Sequence, residues 1–365
     1  MRLETLGVER FRALDQVYIQ PSADVVLFYG DNGAGKTSML EAISFLATGR
    51  SFLGTRLPSL IQTNQQDLLV TARVREGENC RQVGLQRFLN GQSDARIDGE
   101  RVATLSALAH CLPFLVVGAE GLSWLAGTPA RRRSILDWGV FHVEQLDPGH
   151  YSRYRKALEQ RNKALKNDTL SASDVQVWDA VLAEAGEAIV AAREAYVARL
   201  IEVFQTLADS VEGLPPITLT HQPGYSRHKG DLLQALKRGW SRDRLMGSTY
   251  SGPHRGDLSL VCRGAPALES LSRGQQKVLV ALLVLAQQQL LWQVRGRRVL
   301  LLVDDLAAEL DDHRQAHLWQ LMTQTGAQVF LTSVDARRVQ PIVDSDRPLQ
   351  MFHVKNGSVT EVEAR

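Results

Sequence analysis

The octapeptide Gly30-Asp31-Asn32-Gly33-Ala34-Gly35-Lys36-Thr37, followed by Ser38, constrains this chain more than any other stretch. It has the spacing G-x-x-x-x-G-K-[ST], in which glycines let backbone N–H groups close on phosphate oxygens. In such a loop the lysine, Lys36, neutralises the β and γ phosphates and the hydroxyl of Thr37 holds Mg²⁺. The apolar run Val25–Tyr29 precedes the loop, and a helical pattern from Lys36 to Leu46 follows it. The loop therefore reads as the turn between a buried strand and a helix whose partial positive charge faces the phosphates.

Two further segments gain meaning beside that loop. Leu300-Leu301-Leu302-Val303-Asp304-Asp305 is a buried-strand pattern ending in two carboxylates. In a nucleotide site the first orders Mg²⁺ and the second polarises the attacking water. Leu271-Ser272-Arg273-Gly274-Gln275-Gln276-Lys277 precedes a long apolar helix, so Ser272 reads first as an N-cap and Gly274 as a tight-turn residue.

Along the chain, strands are expected at Arg2–Val8, Gln16–Gln20, Leu68–Val74 and Gln82–Leu89, with Asn90-Gly91 as a hairpin turn leading to Ala95–Ile97. From Tyr151 to Lys166 and from Val175 to Leu207 apolar residues recur at helical spacing, with a break at Asn167–Ser173. At 1.5 Å per residue these helices are ~24 Å and ~50 Å long, enough for a short antiparallel arm. After residue 257 strands alternate with helices: Leu258–Cys262, Gln275–Val294, Val299–Val303, Asp312–Thr325 and Gln328–Thr332. That alternation argues for a parallel sheet. The expected architecture is α/β, an ATPase-type head with an antiparallel β lobe, interrupted by a helical, short coiled-coil-like arm. The expected boundaries are 1–117 and 248–365 for the two parts of the head and 118–247 for the arm.

The 365 residues are 44% hydrophobic and carry 42 Lys plus Arg against 40 Asp plus Glu, so the overall charge of +2 forces neither a nucleic-acid nor a membrane reading. Cys80, Cys111 and Cys262 lie far apart, which fits neither a disulfide framework nor a zinc site. The acidic, apolar-poor N-terminus is no secretory signal, and the longest apolar run, Val278–Ala286, falls short of the ~20 residues that span a bilayer. A cytoplasmic protein with no membrane partner is expected.

The order P-loop, LSRGQQK, LLLVDD resembles the ABC-class ATPases of the SMC, Rad50 and RecF group. The strings LGVERFRAL, GTPARRRSILDWGVFHVEQ, RKALEQRNKALK, SGPHRGDL and DDLAAELD are similar to the RecF family within it. The resemblance implies two heads sandwiching ATP, each P-loop facing the other head's signature, so that Ser272, Gly274 and Gln275 meet the nucleotide held at a partner's Lys36. It implies that Asp304 holds Mg²⁺ through water, that Asp305 stands where transporters have glutamate, and that Asp311 lies at the dimer seam. Thr332-Ser333 occupies the switch position usually filled by histidine, which implies slow hydrolysis. The lid glutamine of related heads is missing near Leu115.

Nine basic residues and four acids lie between Arg131 and Lys166, whereas Asp174–Glu212 carries eight acids and two arginines. Arg131, Arg132, Arg133, Arg153 and Lys156 are accordingly candidates for DNA phosphates, in salt-sensitive, sequence-tolerant contact. The resemblance implies an ATP-dependent homodimer on double-stranded and gapped DNA near the nucleoid, with slow ATP hydrolysis. It implies roles in replication, recombinational repair and the SOS response, with RecR and RecO as partners in RecA loading. The alternatives are an ATP-gated scaffold without hydrolysis and the ATPase subunit of a transporter.

Overall fold

The computed structural model describes residues 1–167, 172–305, 312–339 and 348–362. The chain divides into two compact units, Met1–Leu122 with Ser272–Arg365, and Ser123–Leu271.

The first unit opens with β1 (Arg2–Phe11), β2 (Leu14–Ile19), β3 (Val25–Tyr29) and α1 (Lys36–Thr48). Next come β4 (Asp67–Glu76), β5 (Asn79–Phe88), β6 (Ser93–Ile97), β7 (Glu100–Arg101), α2 (Leu105–Cys111) and β8 (Phe114–Val117). An antiparallel sheet of order β2-β1-β4-β5-β6-β7 forms the lobe. Alternation in β4 puts Leu68, Val70, Ala72 and Val74 on the buried face, and they share a core with Met39, Leu40, Ile43 and Phe45 of α1. At the expected Asn90-Gly91 turn, Gly91 N–H bonds Phe88 O at 2.9 Å and joins β5 to β6.

Helix α3 (Ala119–Ala126) spans the unit boundary, and α4 (Pro129–Gly139), α5 (Pro148–Leu165) and α6 (Ala172–Asp209) follow. Then come β9 (Ile217–Gln222), α7 (Leu232–Arg238), α8 (Trp240–Met246), β10 (Asp257–Cys262), β11 (Ala265–Pro266) and α9 (Ala267–Ser270). Helices α5 and α6 run antiparallel, because Arg153 meets Glu184 while the later Arg161 meets the earlier Asp179. Their seam holds Tyr154, Ala157, Leu182, Ala185 and Ile189.

Two expectations are corrected in this unit. Leu258–Cys262 belongs not to a parallel sheet but to β10, paired antiparallel with β9 and β11. The unit therefore extends to Leu271 rather than residue 247, because the β9–β10 pairing ties residues 257–262 to the inserted unit.

The chain returns to the first unit with α10 (Arg273–Arg295), β12 (Leu300–Val303), α11 (Asp312–Gln324), β13 (Gln328–Ser333), β14 (Leu349–Lys355) and β15 (Ser358–Val362). These complete a second sheet of order β15-β14-β3-β13-β12-β8, parallel from β14 to β8. β12 is buried throughout, which is why it reads as an unbroken apolar run rather than an alternating one. α10 is long and apolar enough to cross a membrane by length and composition alone, yet most of that stretch is buried inside the unit. All three cysteines are free.

Candidate functional site: a phosphate-binding cleft

β3 lies between β13 and β14, so the loop after Tyr29 leaves the middle of the parallel sheet. Gly30 has φ +148°, and a Cβ there would fall 2.1 Å from the Val354 carbonyl oxygen of the neighbouring strand. Gly35 takes φ +114° as the N-cap of α1, a conformation that a side chain would strain. The amino end of α1 follows at once with Lys36 and Thr37.

Lys36 Nζ donates to Gly30 O at 2.7 Å and to Asp31 O at 2.8 Å. Burial lowers the Lys36 ammonium pKa from its ordinary value, opposed by the negative charges of Asp305, Asp304 and Asp31. Thr37 Oγ1 donates to Asp304 Oδ1 at 2.9 Å. Asp304 follows β12, and its N–H bonds Val117 O of β8 at 2.8 Å. The two motifs that lie far apart in sequence thus share one hydrogen bond.

Thr332, the penultimate residue of β13, ties the acid pair together. Its hydroxyl donates to Asp304 Oδ1 at 2.7 Å and accepts from the Asp305 N–H at 3.0 Å. Asp305 has φ +50°, unusual for a residue other than glycine, and its side chain is exposed. The sequence marks Thr332 by the histidine it lacks; the structure gives its hydroxyl a role of its own, holding both aspartates in register.

These groups line a cleft of about 600 Å³, within the range of small-molecule sites. Asn32, Gly33, Gly35, Lys36, Thr37, Ser38, Asp304 and Asp305 all reach it. Gly30, Asp31 and Ala34 stay in the loop's backbone frame. Asp304 Oδ2 has no hydrogen-bonding partner among the described residues, and no cluster of three His, Cys, Asp or Glu side chains occurs among them. A hydroxyl and one carboxylate fit Mg²⁺, which keeps several waters and takes substrate phosphates as ligands rather than an all-protein cage.

Sequence reasoning missed Arg12, Ala13, Lys277 and Val334, which also line the cleft. Arg12, at φ +52°, pairs with Glu41 of α1 and donates to Thr55 Oγ1 at 2.8 Å. Glu41 is fully buried and also accepts from the Ser51 hydroxyl. A single acid among the apolar residues Met39, Leu40, Ala42 and Ile43 of α1 was the available signal, since a buried carboxylate requires a partner. Ser272 caps α10 by a capping box with Gln275, its Oγ accepting from Gln275 N–H at 3.3 Å. Ser272, Gly274 and Gln275 are not among the residues lining the cleft, although Lys277 of the same helix is. Asp311 lies outside the described residues.

In the inserted unit, the basic candidates divide. Arg132 forms a fork on Asp257 at 2.8 and 2.7 Å, and Arg133 donates to Gly256 O at 2.8 Å. Arg193 adds a bond to Pro253 O at 2.8 Å. Tyr154 Oη and His254 Nδ1 lie 2.6 Å apart, and burial drops the His254 pKa to about 4. These bonds clasp the SGPHRGD loop, and they engage Arg132 and Arg133, two of the candidates for DNA phosphates, with partners inside the unit. Those partners stand more than a hundred residues away, where local charge counting does not see them. Arg131, Arg153 and Lys156 are exposed, and Arg153 pairs with Glu184 at 3.2 Å.

A phosphate loop and paired carboxylates on one parallel sheet, with an antiparallel lobe folded from the same unit, define the ABC-type ATPase head. The family described as RecF/RecN/SMC N terminal domain matches residues 2–360. The DNA replication and repair protein RecF of Shewanella baltica (strain OS185) is 40% identical over 366 residues, covering 100% of each chain. That of Saccharophagus degradans is 38% identical, covering 98% of each. The chain belongs to the RecF family of SMC-like ABC ATPases. Among solved structures, the recombination mediator protein RecF with ATP, of the RecFOR pathway, superposes with a TM-score of 0.87 at 24% identity over 99% of this chain and 97% of that one. An Smc head domain from Pyrococcus furiosus, bound to the C-terminal domain of ScpA, gives 0.57 at 16% identity over 99% and 95%. Both carry the fold.

Proposed function

We propose that this chain is an ATP-dependent DNA repair clamp: two copies close on double-stranded or gapped DNA when ATP binds, and slow hydrolysis reopens them. The observation that carries this reading is the split between the cleft, which holds Lys36, Thr37, Asp304 and Asp305, and the exposed Ser272 outside it. A serine cap of that kind, supplied by a second copy, completes the nucleotide's surroundings. Thr37 and Asp304 would hold Mg²⁺, which when bound neutralises charge on the phosphates. Asp305 orients the water for attack, and Lys36 Nζ turns to phosphate oxygens the hydrogen bonds it now donates to the Gly30 and Asp31 carbonyls. The named relatives support placing the chain in DNA replication and repair, and the solved neighbour's RecFOR pathway supports RecR and RecO as partners upstream of RecA loading at gaps. The site of action is the cytoplasmic nucleoid.

The dimer is tested by light scattering with ATP and Mg²⁺. Wild type doubles in mass; Ser272→Arg stays monomeric while its ATP affinity changes less than about threefold. Normal dimerisation by that variant overturns the shared-site reading.

The hydrolytic role of the acid pair is tested at Thr332. Thr332→Val removes two hydrogen bonds at a net worth of about 1 kcal/mol each, so turnover falls on the order of 10- to 100-fold. ATP affinity stays near wild type, and Thr332→Ser restores turnover. Unchanged turnover in the valine variant would dissociate Thr332 from the chemistry.

A further inference from the structure

Three cations line the nucleotide cleft: Arg12, Lys36 and Lys277. Arg12 is held by Glu41, and Lys36 belongs to the phosphate loop. Lys277 is the one that the nucleotide motifs do not account for. It is half-buried and comes from α10, the helix that Ser272 caps.

The sheet fixes the side from which Lys277 enters. The order β3-β13-β12-β8 runs from the phosphate loop past Thr332 to the acid pair. With strands about 4.8 Å apart, the acid pair follows a strand about 10 Å across the sheet from β3. α10 packs against β8, on the far side of that pair from the loop. Close backbone approaches trace the path. A Cβ at Gly118, just after β8, would fall 3.0 Å from the Asp304 carbonyl oxygen, and the Gly121 N–H bonds the Gly118 carbonyl at 3.0 Å. A Cβ at Gly121 would in turn fall 2.1 Å from Val280 Cγ1 of α10. Lys277 stands one turn before Val280 on the same side of the helix. It therefore reaches the cleft from the end at which Asp305 orients the attacking water, which is the end of the terminal phosphate.

The same helix looks outward as well. Ser272 is exposed and stands outside the cleft, about 7.5 Å along the axis from Lys277. Its capping box with Gln275 fixes the first turn, so the position of Lys277 is transmitted to the cap.

We propose that Lys277 contacts the terminal phosphate of the ATP in its own cleft, so that the helix offering Ser272 to a second copy is held in place by its own nucleotide. The contact rests on the cleft alone, and its link to Ser272 rests on the shared-site reading above. Lys277 thereby separates ATP from ADP, which lacks the phosphate it meets.

The test is titration calorimetry with ATP and with ADP, in Mg²⁺, on wild type, Lys277→Met and Lys277→Arg, and on the same three chains carrying Ser272→Arg. Lys277→Met keeps the apolar stem, so its thermal midpoint without nucleotide stays at the wild-type value; Lys277→Gln carries the same comparison if methionine lowers it. Lys277→Met binds ADP within about twofold of its parent but ATP on the order of 10- to 100-fold more weakly, as for one charge-assisted bond. Lys277→Arg retains most of the ATP affinity. The loss is the same size beside Ser272→Arg, because the contact lies within one chain. At saturating ATP, light scattering shows Lys277→Met dimerising at least tenfold less tightly than wild type.

Unchanged ATP affinity in folded Lys277→Met, or an equal loss for ATP and ADP, overturns the contact. A loss that vanishes beside Ser272→Arg overturns its placement in the chain's own cleft. Unchanged dimerisation overturns the link to Ser272. Wild type that stays monomeric with ATP while Lys277→Met still binds it weakly instead defeats the shared-site reading and leaves the contact standing.

Discussion

Lys36→Ala loses ATP. In the wild-type loop the ammonium already bonds two backbone carbonyls, of Gly30 and Asp31, so its position over the phosphate cradle is set before a ligand arrives. Exchange of those carbonyls for phosphate oxygens turns neutral acceptors into charged ones, and charge-assisted bonds are worth about 1.5–3 kcal/mol each. Loss of both lowers affinity on the order of 100-fold or more. The remaining parts of the cradle do not compensate, because the loop's N–H groups and the start of α1 were already at work. The measurement is the rise in thermal midpoint with ATP. Saturation at a hundred times the wild-type dissociation constant stabilises wild type by about 2.7 kcal/mol, whereas the variant at that concentration gains at most about 0.4 kcal/mol. A variant that shifts with ATP as far as wild type would take Lys36 out of the binding site.

Arg161→Ala breaks the inserted unit. Arg161 is completely buried, and its guanidinium lies 2.6 Å from Asp179 of α6 and 2.7 Å from Asp243 of α8. Thr249 Oγ1 accepts a third bond at 2.8 Å. The truncation leaves two buried carboxylates without their cation, a loss of about 3–5 kcal/mol, or on the order of 10 °C in midpoint for a unit of this size. Arg153→Ala is the contrast: its pair with Glu184 is exposed on both sides, and such pairs contribute at most about 1 kcal/mol. Equal midpoints for the two variants would mean that the buried cluster is not what joins α5, α6 and α8.

What was legible in the sequence follows the range of the forces involved. The strand Val25–Tyr29 has the expected limits, and the helix after Lys36 runs two residues longer than expected, to Thr48; hydrophobic period and glycine position are local signals. The P-loop and Asp304 were legible for the same reason, and the Thr37–Asp304 bond joins them. The β9–β10 pairing was not, since a six-residue alternating strand looks alike in either sheet. The roles of Arg132 and Arg133 were hidden too, because their partners stand at Asp257 and Gly256. Arg12 escaped because its reach to Glu41 depends on a left-handed turn that nothing in Phe11-Arg12-Ala13 announces.

The interleaving of the two units has a consequence for synthesis. Strand β3 takes its neighbours from the far end of the chain, with Val25 beside both Val329 and Leu349. At roughly 5–20 residues per second, a ribosome that has made the phosphate loop needs tens of seconds more to make the strands that flank it. The inserted unit is fully synthesised well before then, at Leu271. The nucleotide cleft is thus completed only after the whole inserted unit has been made, when Thr332 and the strands on either side of β3 emerge.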